Sequence, residues 1–451
     1  TNRRLSMQCS TTDQCRQLAE PLPPAGLEGW EDLVQCVPPS VALEVSARLA
    51  GALLRRREVK CAADLLRIVM GYAICDWSLR PLGAWCEMRG LGHLSANALR
   101  KRLKHCNRWL GMLIVALLSV QQIRLPAQAE GLRLRIQDAT TASHPGSQGT
   151  NWRLHLALNV GQGCIDGVEL TDVHGGETLA RFPVQPGEIR LADSGYAQPR
   201  GLGSFLHDGG RIVVRMSWQN LRLEEEDGRR FDLIAWLREP GRASAGEQER
   251  SVWLPTPQGR FALRLVVCPL PPDKAEEARR RARKASRKKK HNPDERTLLA
   301  AGFVLLLTNL PADRWSARAV LQLYRIRWQV ELVFKRLKSL LVLDGLRTQD
   351  PELAQTYLLG KVLGALLLGE MIGRTYSCIP ADWDFQTRPI SCWGMTTLCL
   401  EALKNLIRGS LTHAMIAEAL PRLMRFLCDG PRKRPSQWAA AQRLLHALSG
   451  C

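Results

Sequence analysis

Alternating apolar and polar positions between residues 132 and 160 predict two neighbouring β-strands. In the first, Leu132, Leu134 and Ile136 share one face, and Asp138 follows at the same parity. The second runs from Trp152 to Val160, where leucines alternate with Arg, His and Asn. The pattern therefore predicts a carboxylate at the point where the core side of the first strand ends.

A second segment repeats this arrangement. Ile189 and Leu191 share a strand face, and Asp193 follows at the same parity. Because a buried and unpaired carboxylate is costly, two of them at strand ends favour a shared cation. The alternative is that each Asp caps a turn. The apolar pattern also predicts strands at Cys164 to Asp172, Arg211 to Met216 and Phe303 to Thr308, and a helix at Glu177 to Phe182.

The segment from Tyr324 to Lys338 has the apolar period of an amphipathic helix. It contains neither Gly nor Pro, so we expect one continuous helix. On a helical wheel, Tyr324, Arg327, Glu331 and Lys338 fall within roughly 60° of one another, beside the apolar stripe. A carboxylate flanked by cations at the edge of the core suits a groove for a metal ion and a phosphate chain. The alternative is an exposed helix with an ordinary pair between Arg327 and Glu331.

Residues up to about 130 have helical patterns, and Pro81 to Trp109 fit a helix-turn-helix. An apolar helix leads into Gly90 and Gly92, and Ser95 can cap a second helix from Ala96 to Leu110. This second helix is basic, as a helix that reads a DNA groove would be. An ordinary helical hairpin with a basic surface is the alternative. The candidate DNA-binding residues of the second helix are Arg100, Lys101 and Arg102.

From about residue 217 the regularity weakens. Short strands are predicted around Phe231 to Leu237, Ser251 to Leu254 and Phe261 to Val267. The segment Lys274 to His291 is too basic to be buried, and it is a solvated helix, a disordered arm or a phosphate contact. More helices follow residue 351, ending in a short basic amphipathic helix at 432–450.

Charge narrows the choice of partner. The 451 residues contain 63 Lys and Arg against 43 Asp and Glu, a net charge of +20. Such an excess favours a polyanion, with nucleic acid first and a membrane surface second. The apolar runs do not favour a membrane span, because the run around Tyr357 to Gly373 is interrupted by Lys361 and Glu370. The 14 cysteines include no CxxC pair, which fits reduced thiols in the cytoplasm.

The spacing of Tyr324, Arg327, Glu331 and Lys338 resembles the YREK signature of one family of bacterial transposases, the DDE enzymes of the insertion-sequence-four family. The segment Asp193 to Tyr196, which reads DSGY, is also similar to this family's second-aspartate motif. The resemblance covers about residues 132–348. It implies an α/β fold with a ribonuclease-H-like core and a β-rich insertion, flanked by helical N- and C-terminal domains.

The resemblance also implies roles for single residues. Asp138, Asp193 and Glu331 would be the catalytic metal ligands for two Mg²⁺ ions, with Mn²⁺ as an alternative. Tyr324, Arg327 and Lys338 would hold DNA phosphates, and Arg215 is a further candidate contact. Relatives hold a flipped base with a Trp of the insertion, for which Trp236 and Trp253 are candidates here.

We therefore expect a cytoplasmic, nucleoid-associated transposase that cuts and pastes its element through hairpin ends. Its expected partners are double-stranded DNA, as terminal inverted repeats and target, and further copies in a homodimer or synaptic multimer, with no membrane. The rival hypotheses are a DNA-binding descendant without catalysis and a metal-dependent nuclease with the same core. The expected domains are a helical DNA-binding domain at 1–130, a catalytic core at 131–216 and 301–348, an insertion with a basic arm at 217–300, and a helical region for dimerisation at 349–451.

Overall fold

A computed structural model describes residues 5–6, 27–37, 40–124, 133–147, 149–160, 164–288, 290, 292, 294–380, 382–383 and 391–427. They fall into two compact units. The first unit takes in residues 5–6, 111–354 and 365–397 within those limits, and the second takes in 27–110, 355–364 and 398–427.

The first unit is built on one mixed sheet of nine strands in the order β1-β4-β3-β2-β5-β6-β9-β8-β7. The strands are β1 (Leu5–Ser6), β2 (Arg133–Ala142), β3 (Trp152–Asn159), β4 (Cys164–Asp172), β5 (Glu188–Ala192), β6 (Arg211–Arg215), β7 (Gln248–Thr256), β8 (Gly259–Pro269) and β9 (Phe303–Thr308). Strands β2, β3 and β4 form an antiparallel meander, and β5 and β6 continue from β2 in parallel. This α/β arrangement confirms the ribonuclease-H-like core, and it contains the strands expected at 164–172, 211–216 and 303–308.

Register places the two aspartates side by side. Ile136 of β2 is paired in parallel with Leu191 of β5, so Asp138 and Asp193 come two residues later at the same level. The prediction that Asp138 ends its strand is wrong, since β2 continues to Ala142 and pairs Asp138 with Leu156 of β3. Only the pairing of β2 with β5 ends near Asp138, since its last pair is Ile136 with Leu191. The helix expected at Glu177 to Phe182 is reduced to a 3-10 turn at Leu179–Arg181.

The segment 217–300 extends the same sheet. Its hairpin of β7 and β8 pairs with β9, and the segment also contains three helices: α8 (Leu233–Arg238), α9 (Pro272–Lys288) and α10 (Glu295–Ala300). The strand predicted at Phe231 to Leu237 is wrong, because Asp232 accepts hydrogen bonds from the amides of Ile234 and Ala235 and caps α8. The basic segment is helical over α9, so of its three alternatives the disordered arm is excluded for that range.

The single helix predicted from Tyr324 to Lys338 is also wrong. It is divided into α11 (Ala317–Arg325) and α12 (Trp328–Leu341). At the junction the Arg327 amide donates to Tyr324 O at 3.0 Å, and the Val330 amide donates to Arg327 O at 3.2 Å. These i to i+3 bonds tighten the backbone into a 3-10 geometry without a Gly or Pro. Tyr324 therefore ends one helix, while Glu331 and Lys338 lie on the next.

The N-terminal helices of the chain are α1 (Trp30–Gln35), α2 (Ser40–Leu49), α3 (Ala62–Ala73), α4 (Leu79–Met88), α5 (Ala96–Lys104) and α6 (Asn107–Arg124). Gly90 and Gly92 adopt positive φ between α4 and α5, and Ser95 caps α5 through the Ala98 amide, as predicted. The prediction of one helix from Ala96 to Leu110 is wrong. The Thr356 hydroxyl donates to Leu103 O at 2.8 Å, and so takes the carbonyl that a continuous helix would use.

The C-terminal helices are α13 (Pro351–Ser377), α14 (Cys392–Arg408) and α15 (His413–Leu427), and α7 (Pro199–His207) links β5 to β6. By length and composition α13 could cross a membrane, but 72% of its most apolar window is buried in the protein. Lys361 of this helix is fully buried and paired with Asp76 at 2.7 Å, as in a protein core. The basic helix predicted at 432–450 lies outside the described residues. The cysteines whose side chains the structure describes are free thiols.

Candidate active site

The centre of the candidate site is the pair Asp138 and Asp193. Asp138 lies on β2, and its Oδ1 accepts a hydrogen bond of 2.7 Å from the Ala139 amide. Asp193 follows β5 and caps a 3-10 turn through a 2.9 Å bond from the Gly195 amide. The turn-capping alternative is thus correct for Asp193, yet the register still sets it beside Asp138.

Burial makes Asp138 an unusual carboxyl group. Its side chain is 15% exposed. Burial raises its pKa to about 7, and the neighbouring charges of Asp193 and Glu177 act in the same direction, whereas Arg327 opposes them. The charged form of Asp138 is therefore stabilised by anything positive that joins this group, whether Arg327 or a cation.

Arg327 connects Asp138 to Glu331. Its Nη1 lies 3.4 Å from Asp138 Oδ2, and its Nη2 lies 2.5 Å from Glu331 Oε1. Burial alone would lower the pKa of Arg327, but Tyr324, Glu331 and Asp138 raise it overall, so the guanidinium stays charged. The ion pair between Arg327 and Glu331 that the exposed-helix alternative predicted is therefore present. The same guanidinium also donates a hydrogen bond to Asp138 on β2, which lies 189 residues earlier in the chain.

Tyr324 lies beneath Arg327, with the guanidinium carbon 5.7 Å from the ring centre. The Tyr324 hydroxyl is buried and has no hydrogen-bond partner among the described residues. Its pKa is raised by burial, while Arg327 and Arg215 oppose the shift and Asp193 adds to it. The fold therefore places Tyr324 and Arg327 beside Asp138, and the charge of Arg215 on β6 also acts on Tyr324.

Glu331 and Lys338 lie farther out. The Glu331 side chain is 57% exposed, and Arg327 is its ion-pair partner. Lys338 is half-buried two turns later on α12. Arg100 and Lys101 are exposed on α5 of the second unit, whereas Arg102 is half-buried and donates to Ala52 O at 3.4 Å. Of the two Trp candidates, Trp236 is buried with 6% exposure, and Trp253 is stacked under Arg260.

The donor set fits a hard divalent cation in its chemistry. Carboxylate oxygens are the ligands that Mg²⁺ prefers, and Asp138 and Asp193 are adjacent with one guanidinium near them. Among the described residues, no group of three or more His, Cys, Asp or Glu side chains lies close enough to hold a metal. Of the three expected ligands, Glu331 does not join the two aspartates in such a group, because the Arg327 guanidinium lies between its carboxylate and that of Asp138.

Sequence reasoning missed Glu177. Its half-buried carboxylate lines a cavity of about 500 Å³ together with Arg153, Gly195, Gln198 and Asn220. Burial and the charge of Asp193 raise its pKa. The only local signal is an acid that follows two glycines at the end of β4, and this is too common to identify a site.

Comparison with known proteins gives matches of different strength. Residues 130–368 match the family model described as transposase DDE domain. The transposase of insertion sequence element IS421 from Escherichia coli is 38% identical over 352 residues, which cover 76% of this chain and 94% of that protein. InsL of IS186A, from Escherichia coli K12, has the same identity over 351 residues and the same coverage. A cryo-EM structure of the piggyBac transposase synaptic complex with hairpin DNA has a TM-score of 0.44 at 10% identity, over 96% of this chain and 90% of that one. A likeness this distant does not bear on the site.

Proposed function

Because this chain belongs to the DDE transposases of bacterial insertion sequences, we propose that it moves its element by cut-and-paste transposition. Enzymes of this family transfer polynucleotide ends. We propose that this one cuts double-stranded DNA at the terminal inverted repeats through hairpin ends, and then joins the freed element to target DNA.

The observation that carries the proposal is the double contact of Arg327. It joins Asp138 on β2 to Glu331 on α12, the second helix after β9. Asp193 lies level with Asp138 on the neighbouring strand. Two acids far apart in the sequence are thereby joined by one guanidinium, with Asp193 beside the first of them, and an exposed surface helix would not require this.

We assign Asp138, Asp193 and Glu331 as the ligands of two Mg²⁺ ions, with Mn²⁺ as an alternative. Bound there, the ions would activate the attacking water or hydroxyl and neutralise charge on the leaving oxygen. Arg327 would then exchange partners. In the protein without DNA, Arg327 neutralises Asp138 and Glu331. When DNA is bound, it would instead donate to a phosphate, and both carboxylates would be available to bind the ions.

The remaining DNA contacts follow from the positions of the cations. Arg215, Tyr324 and Lys338 would hold phosphates near the cleaved bond, and Arg100, Lys101 and Arg102 of α5 would read the terminal repeat. The exposed cations of α9 would add affinity without sequence preference. Since two ends must be brought together, we propose a homodimer or synaptic multimer that works on the nucleoid in the cytoplasm.

The test is to incubate the protein with Mg²⁺ and DNA that carries the terminal repeats, and to follow nicks, hairpins and joined products. Lys338→Ala should impair hairpin formation while nicking survives, and Lys335→Ala, an exposed Lys of the same helix, is the matched control. Nicks without hairpins or joining in the parent protein would identify a nuclease. Binding without any cleavage would identify a DNA-binding descendant.

A further inference from the structure

Glu177 approaches the Asp193 turn through the gap that Gly195 leaves. A Cβ on Gly195 would lie 2.0 Å from Glu177 Oε2 and 3.1 Å from Asp193 Oδ1. The two carboxylate oxygens therefore cannot be farther apart than the sum of these distances. Two carboxylates at such a spacing repel each other. A side chain at position 195 would push Glu177 away.

The charge of Glu177 is poorly neutralised. No hydrogen bond or ion pair within the described part of the chain engages its carboxylate. Arg153 and Arg181 act on it electrostatically. However, Arg153 donates to Gly175 O at 3.0 Å, and Arg181 is paired with Glu169 at 2.9 Å. Arg181 is thus paired with another acid, while Arg153 donates to a backbone carbonyl and forms no ion pair with Glu177.

Tyr196 gives an independent indication. Its side chain is 0% exposed, and its hydroxyl has no hydrogen-bond partner in the described chain. Burial raises its pKa, and the charges of Asp138, Glu177 and Asp193 add to the shift, so the hydroxyl lies close enough to feel all three acids. A buried hydroxyl without a hydrogen-bond partner destabilises the fold. A hydrated cation among these acids would supply the missing partner.

We propose that Glu177 is a third acidic group of the cation site around Asp138 and Asp193, where its charge strengthens the binding of a divalent cation. This rests on the proposed function, which places a cation at the two aspartates. Mg²⁺ keeps several of its waters in proteins, so Glu177 acts through such a water or through its charge alone. It is a positioning residue for the cation, and direct ligation is not required.

The test is the thermal unfolding of the DNA-free protein in EDTA and in a series of Mg²⁺ concentrations. Glu177→Gln should raise Tm in EDTA, because repulsion is relieved. It should also raise the Mg²⁺ concentration for half-maximal stabilisation by about threefold or more. The matched control is Asp172→Asn, which removes an exposed acid at the end of β4, just before the loop that carries Glu177, and should leave the Mg²⁺ response unchanged.

A second pair of variants tests the contact itself. Gly195→Ala should weaken the Mg²⁺ response in the parent background, because the new Cβ displaces Glu177. In a Glu177→Ala background the same change should have no further effect. Equal effects of Gly195→Ala in both backgrounds would overturn the inference, and so would a parent-like Mg²⁺ response of Glu177→Gln.

Asp193→Asn separates the inference from its premise. If Asp193→Asn loses the Mg²⁺ response and Glu177→Gln keeps it, the cation site stands and the role of Glu177 is wrong. If Asp193→Asn and Asp138→Asn also respond like the parent, the proposed cation site itself is wrong, and the inference falls with it.

Discussion

Asp138 makes the stability of the metal-free protein depend on pH. Its pKa is raised from 3.8 to about 7, so between these values the folded protein holds a proton that the unfolded chain has released. The contribution of the protonated Asp138 carboxyl to the free energy of unfolding is therefore fully present below about pH 4, and it is lost as the pH rises through about 7. Asp138→Asn keeps the neutral form at every pH.

We expect Asp138→Asn to equal the parent near pH 4 and to exceed it at pH 8, by on the order of 2–4 kcal/mol. Denaturant unfolding in EDTA at pH 4, 6 and 8 measures the difference between the two proteins. A difference that stays constant with pH would show that Asp138 is not protonated in the fold, and that the change acts through packing.

Glu331 gives the second prediction at the scale of one residue. Its side chain is mostly exposed and pairs with Arg327, so Glu331→Gln should alter stability by at most about 1 kcal/mol. Binding to terminal repeats should survive, because phosphate contacts come from basic residues. Cleavage should fall by roughly a hundredfold or more if Glu331 is a ligand of the cation as we propose, because Gln removes the charge that would hold it. The test measures cleavage of terminal-repeat DNA and, in a gel-shift assay, binding to the same DNA. A cleavage rate like that of the parent would show that Glu331 is only an ion-pair partner of Arg327.

At the scale of elements, a buried ion network crosses the sheet on the face opposite Ile136. Arg135 of β2 contacts Asp166 of β4 at 2.9 Å and Glu188 of β5 at 3.2 Å, and Glu188 also contacts Arg190 at 2.6 Å. Arg190 is fully buried and also donates to Gln137 at 3.1 Å. These polar groups fix how β2, β4 and β5 pack.

Glu188→Gln should therefore destabilise the fold by about 3–5 kcal/mol, because it leaves Arg190 buried without a carboxylate. Glu225→Gln is the control, since it breaks a partly exposed pair with Arg250 that is worth at most about 1 kcal/mol. Denaturant unfolding of both variants gives the comparison. Equal losses would mean that the network is not coupled to folding.

Helix α5 carries the prediction for DNA recognition. Charge reversal at both Arg100 and Lys101 should weaken binding to terminal repeats much more than binding to random DNA, because base contacts and not phosphates carry specificity. Arg102 is left unchanged because it donates to Ala52 O. Reversal at Arg55 and Arg57, which are exposed in the same unit, is the matched control. Equal losses on both DNAs would reduce α5 to a phosphate contact.

These elements also show what the sequence could predict. Strand parity identified Asp138 and Asp193, and motif spacing identified Arg327 and Glu331, because both signals are local. The break between α11 and α12 carries no Gly or Pro, so propensity could not predict it. Alternation along β2 marks the apolar face but gives no sign that Arg135 on the other face is buried. Glu177 depends on a contact with Gly195 that only the folded chain creates.

For the whole molecule, the net charge of +20 makes salt the main control on DNA affinity. Helix α9 concentrates this charge. In its first half, Glu276 and Glu277 pair with Lys274 and with three arginines, Arg279, Arg281 and Arg283. Lys284, Arg287 and Lys288 in the second half are exposed, and no described acid pairs with them. This end of α9 is the part most able to release counterions from DNA.

Replacing Lys284, Arg287 and Lys288 together with Gln should flatten the dependence of log affinity on log salt by about 0.9 for each DNA phosphate that the variant no longer neutralises. Terminal-repeat DNA and random DNA should lose affinity alike, because the helix has no aromatic residue for stacking and reads no bases. Arg281→Gln is the control, since Glu277 already neutralises that cation. Binding titrations from low to high salt measure both slopes. An unchanged slope in the triple variant would show that α9 does not touch DNA, and a loss confined to terminal repeats would make it a reading element.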